Sequence, residues 1–217
     1  MGVNMREYPQ KNYLIQATAI FIGLPLLLWA LGDFPRRTVF KESLSILFIL
    51  AICQMLGQFF LSRSNKSAVK SFRMGKVVKY HKIIGYTCGG VFLIHPFLLV
   101  VPRYFESGIA PMEAFITIIT TLNSQGIVLG IIAWCLMLIL GITSLIRRRL
   151  PMKYTTWRFF HGILAMFILA VVTWHVIDLG RHADLAMSIY FIILAVSGEL
   201  LILKTYILKP KKTKRIS

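Results

Sequence analysis

The sequence predicts an all-α membrane protein, a bundle of six transmembrane helices, from its hydropathy, its long apolar runs and the placement of its charges. Of the 217 residues, 57% are hydrophobic, and the mean hydropathy is +0.71. The apolar residues form runs with few charges, each long enough to cross a bilayer core of about 30 Å as a helix. We therefore expect one domain over residues 1–217, with spans near residues 13–32, 43–62, 82–103, 122–146, 159–178 and 185–205.

The distribution of Lys and Arg predicts how these spans are oriented. Of the 25 basic residues, twenty lie before the first span, in segments 63–82 and 147–158, and from residue 204 onward, which is one side if the spans alternate. By the positive-inside rule, both termini are then cytoplasmic, and we expect a bacterial inner membrane. Topology explains the formal charge of +17 better than nucleic-acid binding does. The basic residues expected outside are Arg36, Arg37, Lys41, Arg103 and Arg181.

The first two spans contain features that need partners inside the bundle. Gly23 and Pro25 are expected to kink the first span, a break that bundles tolerate when neighbouring groups bind the freed carbonyl. Gln54 and Gln58 lie four residues apart on one face of the second span. We interpret both amides as interhelical hydrogen-bonding groups rather than as cofactor contacts.

Two pairs of histidines with equal spacing are the main functional signal. His81 and His95 lie fourteen residues apart in the third span, and His161 and His175 repeat that spacing in the fifth. Fourteen helical residues make about four turns and roughly 21 Å, so each pair lies on one helical face. Four inward-facing imidazoles at two depths would bind two haem groups, one above the other. The sequence has no C-x-x-C-H motif, so we predict two noncovalent haem b groups stacked between helices 3 and 5.

Small residues next to these histidines support the same interpretation. Gly85 and Gly89 follow His81 on its own face, and we interpret them as leaving room for flat porphyrins, with close helix packing as the alternative. Pro96 is expected to bend the third span directly after His95.

Three segments outside the spans carry weaker signals. Residues 63–80 are strongly basic, and we predict a cytoplasmic loop there that covers the inner histidines and docks an acidic or flavin-bearing partner. The polar residues 117–125 are expected at the outer surface, before the fourth span proper. Arg36 and Arg37 are interpreted as solvated charges, with haem propionates as the less favoured partners. His182 is interpreted as a solvated loop residue, with an outward metal-acceptor site as the alternative.

Two segments resemble the third and fifth helices of the ferric reductase-like transmembrane domain family. They are HKIIGYTCGGVFLIHP, from His81 to Pro96, and WRFFHGILAMFILAVVTWH, from Trp157 to His175. The family includes ferric reductases, NADPH oxidases, six-helix metalloreductases and the haem subunit of a periplasmic methionine sulfoxide reductase. The resemblance implies that His81 and His161 ligate an inner haem and that His95 and His175 ligate an outer one.

The resemblance also implies an oxidoreductase component that transfers electrons across the membrane. Its donor would be a reduced flavin, FAD or FMN, on a cytoplasmic dehydrogenase, and its acceptor outside the cytoplasm would be ferric iron or oxygen. The sequence has no Gly-rich dinucleotide fingerprint, so we expect the flavin module on a partner or in a longer form of the chain. Candidate propionate or substrate partners are Arg103 and Arg181 at the outer level, and Arg73, Lys76, Lys82 and Arg158 at the inner level.

Two other functions stay open at this point. The chain could be a haem-bearing electron-transfer subunit that serves a periplasmic reductase and takes its electrons from quinol. It could also be a haem-free transporter that uses its histidines to move protons.

Overall fold

The computed structural model describes residues 7–35 and 37–207, which form helices joined by short turns, with no β-strand among them. A five-residue π-helix, Ala19–Gly23, joins the first two α-helices. The α-helices in chain order are α1 (Glu7–Thr18), α2 (Leu24–Leu31), α3 (Val39–Phe60), α4 (Lys66–Ser107), α5 (Pro111–Thr120), α6 (Gln125–Leu145), α7 (Tyr154–Leu179) and α8 (Leu185–Ile207).

Six helical segments of the described chain are long and apolar enough to cross a membrane. Large apolar side chains are exposed along all of them, as expected where lipid and not water covers the surface. The predicted all-α fold with six spans is confirmed, and the chain is an integral membrane protein. The six segments are Gln10–Leu31, Val39–Phe60, Lys66–Ser107, Gln125–Leu145, Tyr154–Leu179 and Leu185–Thr205.

The first span is interrupted where the sequence predicts a break. Pro25 has no backbone N–H, so it cannot donate to the carbonyl of Phe21, which lies in the π-helix. Gln54 of α3 donates from Nε2 to that carbonyl oxygen at 3.1 Å. Tyr190 of α8 donates from its hydroxyl to the carbonyl of Ile20 at 2.6 Å. Two neighbouring helices thus bind carbonyls in the interrupted turn, and the interhelical role predicted for Gln54 is confirmed.

The third span is much longer than predicted. Helix α4 has 42 residues and begins at Lys66, so most of the segment predicted as a cytoplasmic loop is helical. Asn65 caps the helix, because its Oδ1 accepts hydrogen bonds from the amides of Ser67 and Ala68. His81 therefore lies well inside α4, and not just before a span that begins near residue 82, as predicted.

The basic segment folds as a helix because its few apolar residues share one buried face. Ala68, Phe72 and Val77 are buried, and Tyr13 of α1 packs against them. The rings of Tyr13 and Phe72 meet edge to face with centroids 5.2 Å apart. Asn65 donates from Nδ2 to the Tyr13 hydroxyl at 3.0 Å. Helix α1, which covers this face, is distant in sequence. The charge density of the segment itself therefore could not predict that the segment is helical.

The described break in α4 lies at Arg73. Arg73 has φ 61° and ψ 149°, and it is the one residue inside this helix with non-helical backbone angles. Pro96 has no backbone N–H and so cannot donate to the carbonyl of Phe92. Trp134 of α6 donates from Nε1 to the next carbonyl, that of Leu93, at 3.0 Å. The indole thus adds an interhelical hydrogen bond in the turn before Pro96.

The fourth apolar run divides into two helices. The short helix α5 ends at Thr120, and α6 begins at Gln125 after Ser124 accepts a hydrogen bond from the Ile127 amide. The polar residues between these helices thus lie outside the membrane helix, as predicted.

The bundle has two main buried clusters. One joins α3, α7 and α8 around Leu56 and Phe191. The other joins α6 and α7 around Met137 and Leu164, with Phe92 of α4 packed against it. Helices α6 and α7 form the most extensive helix pair, followed by α3 and α4, whereas α4 and α7 have little close backbone contact. The two histidine-bearing helices therefore face each other mainly through side chains.

The substitution Gln54→Leu is expected to lower the free energy of unfolding by about 0.5–2 kcal/mol, because it leaves the Phe21 carbonyl without its donor. Denaturant titration of the detergent-purified protein measures the change. Thr205→Val is the control, since the Thr205 hydroxyl bonds only within its own helix. Equal stability of the two variants would contradict the role given to Gln54.

Candidate functional site

The four paired histidines lie on two facing helices, His81 and His95 on α4 and His161 and His175 on α7. The ring centroids of His81 and His161 are 6.4 Å apart, and their planes are inclined by 63°. His95 and His175 are close enough to interact electrostatically. The structure thus places the histidines in two pairs across the helices, one near each end of the bundle.

Helix α6 orients both histidines of α7. His175 Nδ1 lies 2.7 Å from the carbonyl oxygen of Gly126, and because a carbonyl only accepts, Nδ1 carries the proton. His161 Nδ1 lies 3.3 Å from Ser144 Oγ, whose own proton is donated to the carbonyl of Leu140 at 2.6 Å. Ser144 Oγ therefore accepts from His161. In both rings the Nε2 lone pair is left free to bind a metal ion.

The histidines of α4 lie beside α3. The His95 ring packs edge-on against Phe48, with centroids 4.5 Å apart. The His81 ring is close to the backbone carbonyls of Gln58 and Leu61 at the end of α3. Both Nδ1 atoms are buried and lack a hydrogen-bond partner among the described residues. The α4 rings are therefore less firmly oriented by protein groups than the α7 rings.

Apolar side chains fill part of the space between the two histidine levels. Phe92 and Leu93 of α4 pack against Met137 of α6 and against Leu164 and Ile168 of α7. These packed apolar side chains lower the local dielectric constant between the two levels.

Two glycines of α6 allow α7 to approach closely and hold His175 in place, and the sequence analysis missed them. A Cβ atom at Gly130 would lie 2.6 Å from His175 Cε1. A Cβ atom at Gly126 would collide with the side chains of Asp178 and Leu179. The spacing of Gly126 and Gly130 is the G-x-x-x-G pattern of tightly packed membrane helices. That pattern was present in the sequence and could have identified both positions.

The predicted cofactor-lining glycines have different surroundings. A Cβ atom at Gly85 would lie 3.7 Å from Gln58 Oε1, so Gly85 faces α3. A Cβ atom at Gly89 would meet no heavy atom within 4 Å. A methyl group would thus fit at either position, and the cofactor roles of both glycines stay predictions.

The predicted basic partners lie near the two ends of the bundle. Arg181 is exposed and donates from its guanidinium to the carbonyl of Pro35 at 2.6 Å, which joins two loops. Arg158 is partly buried in the first turns of α7. Their roles toward a cofactor stay predictions. The remaining candidates, all exposed on α4, are Arg73, Lys76, Lys82 and Arg103.

His182 is not a solvated loop residue, and that prediction is wrong. Its side chain is buried, and its Nε2 lies 3.1 Å from Glu42 Oε2. Glu42 also accepts a hydrogen bond from Arg37 at 2.9 Å, so the interpretation of Arg37 as a solvated charge is wrong as well. Burial lowers the pKa of His182, although Glu42 opposes this shift. Glu42 and His182 are distant in sequence, which is why their contact was not predicted. Arg36 lies outside the described residues.

A conventional metal cluster is absent from the described part of the chain. No group of three or more His, Cys, Asp or Glu residues in residues 7–35 and 37–207 is arranged to hold a metal ion. Each level has two histidines, the number of protein ligands that a six-coordinate porphyrin iron would take.

Comparison with known proteins identifies the family. The family described as "Ferric reductase like transmembrane component" matches residues 47–172, which begin in α3 and end in α7. The chain belongs to this family. The match includes His81, His95 and His161, and it ends three residues before His175. Membership in the ferric reductase-like family indicates an oxidoreductase component that acts in transmembrane electron transfer.

A relative from an archaeon covers most of the chain. A protein of Archaeoglobus fulgidus, described as uncharacterized, is 45% identical over 159 residues. The aligned residues are 73% of this chain and 86% of the relative. No solved structure matches the chain.

The substitution Gly130→Ala is expected to lower the free energy of unfolding by about 1–3 kcal/mol, because the added methyl group collides with the His175 ring. Gly141→Ala is the matched control on the same helix, since a Cβ atom there meets no heavy atom within 4 Å. This control should gain about 0.5–1 kcal/mol from better helix propensity. Thermal unfolding in detergent measures both, and a stabilised Gly130→Ala variant would contradict the packing described.

Proposed function

We propose that the protein transfers electrons across the membrane through two b-type haem groups, one held by His81 and His161 and the other by His95 and His175. The observation that carries this proposal is the distance between the inner rings. Two imidazoles on opposite sides of one metal ion, each with a metal–nitrogen bond of about 2 Å, have centroids roughly 6 Å apart. The observed 6.4 Å between His81 and His161 fits that value.

The donor chemistry of the four histidines supports the same ligand role. Ser144 and Gly126 hold the Nδ1–H groups of His161 and His175, so each Nε2 presents its lone pair as a neutral ligand. Neutral ligands avoid the cost of a buried charge in the membrane. Bound haem supplies one-electron redox chemistry. The protein supplies two fixed depths and, between them, an apolar cluster.

The charge distribution supports a direction for electron transfer. By the positive-inside rule, the end of the bundle with α4's exposed lysines faces the cytoplasm, so the His81 and His161 level lies on the donor side. The His95 and His175 level then lies on the acceptor side, where ferric iron or oxygen would be reduced. Two histidines leave no free position on a six-coordinate iron, so the acceptor would receive electrons at the outer edge of the site.

The donor that we propose is a reduced flavin on an acidic cytoplasmic dehydrogenase. Three of the lysines that are exposed along α4 ahead of His81 are Lys70, Lys76 and Lys79. Exposed arginines follow α6 at Arg148 and Arg149. A basic surface of this kind attracts an acidic partner and raises its association rate.

The haem-free transporter alternative has less support. A proton path needs a chain of polar groups or water between the two histidine levels. The cluster around Met137 and Ile168 fills part of the space between them with apolar side chains, which cannot relay protons. This arrangement suits electron transfer, which requires no polar path.

Replacing one histidine at a time tests the two-level arrangement. His81→Leu and His161→Leu are expected to remove one haem absorption component, and His95→Leu and His175→Leu are expected to remove the other. Dithionite-reduced minus oxidised spectra of the purified protein, with haem quantified per polypeptide, measure the outcome. Loss of one and the same component in all four variants would contradict two levels, and folded protein without haem would refute the proposed function.

Reversing the charge of the three α4 lysines tests the donor site. The triple substitution Lys70→Glu, Lys76→Glu and Lys79→Glu is expected to slow reduction by an acidic flavoprotein about tenfold at low salt and to weaken its dependence on ionic strength. Stopped-flow absorbance measures the rate. Lys41→Gln, which removes a charge at the opposite end, is the control and should leave the rate unchanged. An unaffected rate in the triple variant would place the donor elsewhere.

A further inference from the structure

Gln58 of α3 is a buried polar side chain whose hydrogen-bonding groups are not used by the fold. It is 7% exposed, and neither its amide nitrogen nor its amide oxygen has a hydrogen-bond partner among the described residues. Leaving a buried polar group unpaired costs about 1–3 kcal/mol. An apolar residue would therefore be more stable at this position unless the amide has a partner in the working protein.

The amide of Gln58 lies near the inner histidine. Its Oε1 is 3.7 Å from the position of a Cβ atom at Gly85, so the side chain is directed at α4. Gly85 follows His81 by one helical turn and lies on the same face. The backbone carbonyl of Gln58 is itself close to the His81 ring. The Gln58 side chain and His81 thus both lie at the contact between α3 and α4, and neither the Gln58 amide nor His81 Nδ1 has a hydrogen-bond partner among the described residues.

The two groups are chemically complementary. When Nε2 of a neutral histidine binds a metal ion, Nδ1 carries the proton and needs an acceptor. His161 and His175 have such acceptors in Ser144 and Gly126, whereas His81 Nδ1 makes no hydrogen bond among the described residues, although backbone carbonyls of α3 lie close to the ring. The amide oxygen of Gln58 is an acceptor without a donor.

We propose that Gln58 is a positioning residue for His81, whose Nδ1–H donates to Gln58 Oε1 when His81 Nε2 ligates the inner haem. This inference rests on the proposed function. The hydrogen bond fixes the ring orientation and increases electron donation from the imidazole, which favours the ferric state and lowers the midpoint potential of the inner site.

A redox titration of the purified holoprotein tests the inference, with Gln58→Met as the variant. Methionine has a similar shape and no comparable acceptor. We expect both haem groups to be retained and the ferric-to-ferrous equilibrium of the inner site to shift up to about tenfold toward ferrous, or about 59 mV for one electron. The outer midpoint should not change. Gln58→Glu keeps an acceptor and should lower the inner midpoint instead.

Gln54→Met is the matched control, one turn away on the same helix. The Gln54 amide is bound to the Phe21 carbonyl, so this variant should lose stability with both midpoints unchanged. Two haem groups with unchanged midpoints in Gln58→Met would overturn the role of Gln58 and leave the proposed function intact. If Gln58→Met does not fold, an unchanged inner midpoint in Gln58→Glu would overturn it equally. Wild-type protein that folds without haem would refute the proposed function itself.

Discussion

The structure depends on one constraint: inside a bilayer, each backbone carbonyl and amide needs a partner within the protein. A regular α-helix pairs these groups within itself. Where the helix is interrupted, a hydrogen-bond donor must come from another part of the protein. The π-helix before Pro25 receives donors from Gln54 and Tyr190. The turn before Pro96 receives one from Trp134. Each of these hydrogen bonds joins two helices at a defined position. Apolar packing alone would specify that position less well.

The α7 histidines are held by acceptors of α6 that also serve their own helix. The Gly126 carbonyl has two lone pairs, so it can accept from His175 in addition to its own helix. Ser144 donates its proton to its own helix and accepts from His161. Helix α6 thus orients two rings on α7, and the small residues at 126 and 130 bring the helices close enough for it to do so.

The sequence predicted whatever depends on local patterns. Hydropathy predicted six spans, because the length of an apolar run determines whether it crosses a bilayer. Spacing alone predicted the common face of His81 and His95. Contacts between distant segments could not be predicted in this way: Tyr13 covers the apolar face that makes residues 66–80 helical, and Glu42 binds the buried His182. Gly126 and Gly130 are a different case. Their G-x-x-x-G spacing is visible in the sequence, but it did not stand out among the many other glycines.

Of the two glutamines of α3, one is explained by the fold and the other by the proposed site. They have the same chemistry, lie one turn apart and face the bundle, so no sequence rule distinguishes them. Gln54 is bound to a carbonyl that Pro25 leaves free, and its presence is explained by the fold. Gln58 is more deeply buried, but its amide makes no hydrogen bond among the described residues. Its burial therefore costs stability, and no described contact offsets that cost. In a bundle where broken turns are supplied with donors from neighbouring helices, the unpaired amide of Gln58 is best explained by the ligand role that we propose for His81.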